Sequence, residues 1–202
     1  MKIINYILMA IGALTVLAFI FVIIGFFLYS LTPPLKKDLA MMPVSYAASQ
    51  SLDEKIDIFK DNIKSAAAAK VEKEVTLTLT EEEVNSKLIE LMAEDKIQLK
   101  EVLINFHDDF FLAYARLDNK GIDVKTGIIA QPDIEEGEIK IIVTEFQLGK
   151  LPLSKSNNER VGKILETILK IEDPIDELPL EITDFDIGDG KFTVEGMVKI
   201  SE

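Results

Sequence analysis

Hydrophobic and polar positions divide the chain into two regimes. From Ile3 to Leu35 no side chain is charged, and Ile7 to Leu31 is apolar but for Gly12, Thr15, Gly25, Tyr29 and Ser30. At ~1.5 Å per residue these 25 residues reach about 37 Å, enough to cross a hydrocarbon layer of about 30 Å with some tilt. Beyond Thr32-Pro33-Pro34, which stops a helix, charged residues appear and the periods shorten to those of a globular domain.

In that second regime Ser51 to Glu54 reads as a capping box, and Leu52, Ile56, Phe59 and Ile63 recur at helical steps, predicting a helix over 52–70. Glu74 to Thr80 alternates strictly, which predicts a strand. Thr80 with Glu83 forms a second capping box, opening a helix whose apolar stripe is Val84, Leu88, Leu91 and Met92. Four strands then follow: Glu101 to Phe106, Phe110 to Leu117, Ile122 to Ala130 and Glu138 to Leu148, with turn residues between them, an antiparallel meander. Ser156 to Glu159 opens a third helix ending near Lys170. Strands Leu180 to Ile187 and Lys191 to Ile200 flank Gly188-Asp189-Gly190, a hairpin turn.

The elements describe an α+β protein with one N-terminal transmembrane helix followed by a curved antiparallel sheet packed with about three helices. Its expected divisions are an anchor over 1–35, a linker over 36–50 rich in Ala, Ser and Met, and an α+β domain over 51–202. A cleaved secretory signal is the competing pattern for the first division, since Lys2 precedes the run. Such apolar regions usually span ~7 to 15 residues, however, and the nearest small-x-small site, Ser45-Tyr46-Ala47, lies far downstream. An uncleaved single-pass anchor in the cell membrane is therefore expected. Tyr6 and Tyr29 would stand at its two interfaces, and Lys36 and Lys37 at the outer headgroups, where they meet anionic lipid. A short tail with one lysine starts an N-inside anchor, so the domain is expected outside the cytoplasm.

Charge narrows the partners. All 35 acidic residues and 21 of the 22 basic ones follow the anchor, a net of 21 − 35 = −14. Nucleic acid is excluded as a partner, because phosphate binding needs clustered Lys and Arg, and only Arg116 and Arg160 occur. With no cysteine, disulfides, thiolate metal sites, cysteine nucleophiles and lipoprotein processing are all excluded.

Catalytic chemistry finds little support. His107 is the single histidine, and Asp108 and Asp109 beside it read as hairpin residues. Neither G-x-S-x-G, H-E-x-x-H, G-x-G-x-x-G nor a P-loop occurs. Asp184-x-Asp186-x-Gly188-Asp189 superficially matches a calcium loop with Glu195 at its twelfth position, but the fifth and sixth positions carry Gly188 and Asp189 where an oxygen ligand and glycine are needed. No enzyme activity, metal or cofactor is expected.

The stretch Thr76 to Leu88, TLTLTEEEVNSKL, resembles the strand-to-helix entry of the YpmS-like family of membrane-anchored bacterial proteins, and the likeness extends to Gly149-Lys150-Leu151-Pro152-Leu153. It is also similar to the LmeA-like phospholipid-binding proteins, whose sheet curls around a helix as in tubular lipid-binding domains. The resemblance implies lipid or membrane-surface binding without catalytic residues, and makes Thr80, Glu83 and Asn85 structural caps.

Two strands are apolar on both faces, which a sheet with one face in water would not be. In one, Phe110, Leu112 and Tyr114 oppose Phe111, Ala113, Ala115 and Leu117; in the other, Ile142, Phe146 and Leu148 oppose Ile139, Ile141 and Val143. Helices are expected on the alanine side. That leaves Phe110, Leu112, Tyr114, Ile142 and Phe146 as an open groove for membrane lipid or another hydrophobic ligand. The alternative is a structural adaptor whose sheet face binds an envelope protein.

Overall fold

The computed structural model describes residues 20–22, 24–25, 27–97, 99–119, 122–151 and 179–200. Tyr6, the apolar run before Ile20, Arg160 and the helix expected at 156–170 lie outside these residues. The fold is α+β. Helix α1, described over residues 20–30, leads into a 3-10 turn, Pro34–Lys37; then come α2 (Tyr46–Ala69), β1 (Glu74–Thr80), α3 (Glu81–Ala93), β2 (Glu101–His107), β3 (Phe110–Asn119), β4 (Ile122–Glu135), β5 (Glu138–Leu148), β6 (Leu180–Gly188) and β7 (Lys191–Val198). The stretch Ile20–Lys37 is the one segment among the described residues long and apolar enough to cross a membrane.

Instead of one sheet there are two, both antiparallel: β1-β7-β6, and the meander β2-β3-β4-β5. The meander order and the β6–β7 hairpin follow from local turns; Asp189 and Gly190 both adopt positive φ in that hairpin (51° and 70°), as a tight two-residue turn requires. The pairing of β1 with β7 has no local cause. It joins Leu77 to Val194 and Leu79 to Phe192, so the apolar sides of two distant strands share one face while Thr78 and Thr193 hydrogen-bond on the other. On that apolar face α2 lays Phe59, Ile63 and Ala66 over Val75 and Val198, with Ile63 and Val198 wholly buried.

Helix α2 begins earlier than the Ser51 capping box predicts. Ser45 is its N-cap, accepting from Ala48 N at 3.1 Å, and Ser51 lies inside the helix, its hydroxyl donating to Glu83. The predicted box at Thr80 is present in full. Strand β6 joins the two sheets: Asp109 N donates to Ile187 O at 3.3 Å, and Ile182 N to Gly137 O at 2.8 Å, so β6 touches the tips of the β2–β3 and β4–β5 hairpins of the meander. Beside the first tip, Phe106, Phe111 and Phe192 meet edge to face with centroids 5.2–6.2 Å apart.

Candidate functional site

Paired residues in an antiparallel sheet point to the same side, so the register assigns the two faces of the meander. One carries Leu103 and Asn105, Phe110, Leu112 and Tyr114, then Gly127 and Ile129. The other carries Ile104 and Phe106, Phe111, Ala113 and Ala115, then Ile128 and Ala130.

The first face, expected to be open, is closed by the chain itself. Leu35 and Leu39 pack onto Leu112 and Tyr114, with Leu103, Phe110 and Ile129 around them. Pro33 and Leu35 approach so near that a Cβ on Gly127 would lie 3.4 and 3.3 Å from their Cβ atoms. Polar contacts hold this strap along its length: Leu35 N donates to Gln147 Oε1 at 3.2 Å, Ala40 N to Asn105 Oδ1 at 2.7 Å, and Lys36 pairs with Glu101 while its Nζ sits 4.1 Å over the Tyr114 ring. Burial raises the Tyr114 phenol above its ordinary pKa, and the Glu101 carboxylate adds to it. Lys36, Leu39 and Ala40, at the start of the linker expected over 36–50, are thus packed or paired together with Leu35, and Phe110, Leu112 and Tyr114 line the strap's seat, not an open groove.

A β-bulge divides the remaining expected residues. Ile129 pairs with Glu145 but Ala130 with Val143, which makes Thr144 the inserted residue, its hydroxyl donating to Ile129 O at 3.1 Å. One inserted residue exchanges the faces of everything beyond it. Ile142, paired with Gln131, therefore falls on the strap side, 48% exposed, whereas Phe146, paired with Ile128, falls on the opposite side with Leu148. Strict alternation had put all three together. On the opposite side Ile128, Ile139, Ile141, Phe146 and Leu148 are half-buried. Helices α2 and α3 pack on β1, β2 and β7; β6 is the element of the other sheet that reaches β4 and β5.

The end of α1 is fixed to the same sheet. Lys150 N donates to Leu28 O at 2.8 Å, Gly149 N to Lys125 O at 2.8 Å, and Lys125 Nζ reaches Thr32 Oγ1 at 3.4 Å. Gly149, at φ +58°, has no room for a Cβ, which would collide with the carbonyls of Leu28 and Tyr29. Of the expected interface residues, Tyr29 sits at this junction, and Lys36 and Lys37 follow it in the 3-10 turn.

Sequence reasoning missed the polar side of α3. Its apolar stripe, Val84, Leu88, Leu91 and Met92, is only half-buried, while Glu81, Glu83, Asn85 and Ser86 are buried. Asn85 exchanges two hydrogen bonds with the Ile104 backbone (2.7 and 2.8 Å), and Glu81 accepts from Phe106 N and Asn105 Nδ2. Asn85 is a clip to β2, not a helix cap. Glu83 caps α3 and pairs with Lys55 at 2.8 Å; burial pushes its carboxyl up, but hydrogen bonds from Lys55, Ser51 and Thr80 outweigh that and hold it below its ordinary 4.5. The alternation of Glu81, Glu83 and Asn85 just beyond a strand was a visible signal, masked by the ordinary preference for acids in a first helical turn.

His107 ends β2, its ring stacked on Phe110 at 5.2 Å, with Nε2 buried and no hydrogen-bond partner among the described residues. Asp184 and Asp186 pair across the hairpin with Glu195 and Thr193, and no group of three or more His, Asp or Glu among the described residues could hold a metal. What the arrangement offers chemically is apolar contact beside a segment long and apolar enough to cross a membrane. Comparison with family models, curated proteins and solved structures gives no match.

Proposed function

We propose that this is a single-pass membrane protein whose extracytoplasmic domain holds the acyl chain of a lipid, or another hydrophobic ligand, without catalysing a reaction. The ligand lies on the meander face opposite the strap, against Ile128, Ile141, Phe146 and Leu148, and the bulge at Thr144 curves the sheet around it. The observation that carries this reading is a sheet apolar on both faces: Leu35 and Leu39 cover Leu112 and Tyr114 on one, and on the other Ile128, Ile141, Phe146 and Leu148 stay half-buried beside the buried Ala130 and Val143. The resemblance to YpmS-like and LmeA-like proteins points the same way. Each methylene buried there would gain about 0.8 kcal/mol.

Native mass spectrometry of the full chain tests this, since trimming at residue 50 would remove Leu35, Leu39 and Ser49 from the packed structure. The wild type should retain lipid, Phe146→Glu should lose it while still folded, and Ile142→Glu should keep it. Equal retention by a folded Phe146→Glu contradicts the site; a wild type that carries a protein and no lipid assigns the face to an envelope partner.

A further inference from the structure

The junction between α1 and the sheet has a charge pattern unlike the rest of the chain, whose net charge is −13. Hydrogen bonding of Lys150 N to Leu28 O sets Lys150 level with the last turn of the apolar helix, and Lys125 lies beside Thr32, one residue beyond the apolar run. Lys37 follows in the 3-10 turn. Lys36, Lys100 and Arg116 at this end are paired with Glu101 or Asp123, whereas no ion pair among the described residues takes up Lys37, Lys125 or Lys150. Lys37 and Lys150 are exposed and Lys125 half-buried.

We propose that Lys37, Lys125 and Lys150 form a collar that binds the phosphates of anionic lipid headgroups around the emerging helix. Fixed contacts at Gly149, Pro33 and Leu35 hold the backbone that carries the three lysines at the helix exit, so the domain meets the membrane in one orientation. Their long stems can run along apolar surface while the charges stay in the polar layer. Lysine near an anionic surface gains about 1 kcal/mol, which is about five-fold in partition for each residue. The collar is independent of the apolar face, because it selects the headgroup and not the chain.

The test equilibrates the full-length protein in detergent with phosphatidylglycerol and phosphatidylcholine bearing identical acyl chains, and reads bound lipid by native mass spectrometry. Wild type should prefer phosphatidylglycerol, with a preference that shrinks as salt rises. A Lys37→Gln, Lys125→Gln, Lys150→Gln triple variant should lose it, and the arginine triple should keep it. Phe146→Glu should lower both lipids alike, which separates failure of the groove from failure of the collar. A folded glutamine triple that still prefers phosphatidylglycerol, or a wild type with no preference, overturns the collar.

Discussion

At the edge of β2, two side chains of α3 stand where a further strand would be. Edge strands present unpaired N–H and C=O groups, and Asn85 and Glu81 satisfy those of Ile104 and Phe106 from the side. Asn85→Ala should therefore cost about 1–3 kcal/mol, because it strands buried backbone groups, and a lowered melting temperature with unchanged lipid retention would check it. An affinity change at constant stability would make Asn85 a ligand contact instead. Glu83 sets the pH response. Its folded pKa lies below the unfolded one, so its stabilisation is present above about 4.5 and lost as pH falls through the lower folded value. Melting temperature should drop on acidification below 4.5, and Glu83→Gln should lower the neutral value and flatten that drop. A steep drop of the same size in the variant would assign the response to other carboxylates. Ser49, which hydrogen-bonds Glu90 and holds that carboxyl below its ordinary value, marks the other group to test.

Among elements, those with local causes were legible. The β1 strand, the Thr80 box, the β2–β3 turn and the β6–β7 turn each need only neighbouring residues, and the structure has all four. The strap was not legible, because Pro33 and Pro34 signal only where a helix stops, and docking partners as far along the chain as Leu112 and Tyr114 leave no local trace at Leu35 and Leu39. The spacing Leu31, Leu35, Leu39 was the available hint. The bulge at Thr144 was hidden for a related reason: alternation continues on both sides of it, and only the partner strand reveals the inserted residue. Leu35→Ala gives the strap a direct measure. At 3% exposure its truncation should destabilise the domain by about 2–5 kcal/mol in chemical denaturation, against near zero for a linker residue.

At the scale of the whole molecule, helix, strap and sheet form one continuous packed path from the end of the apolar helix to the apolar face. The α1 carbonyls contact Gly149 and Lys150, the strap seats on Tyr114, and Phe146 lies on the reverse side of the same sheet. On the proposed function, a lipid leaving the bilayer at the helix exit would meet the adjoining ends of β4 and β5. The most direct test places the full-length protein in vesicles containing a lipid with a photoreactive group at the end of its acyl chain, and maps the crosslinked peptides. The account predicts adducts on β4 and β5, including the peptides that hold Ile128 and Phe146, in addition to those on the apolar helix. Adducts confined to the helix would contradict it.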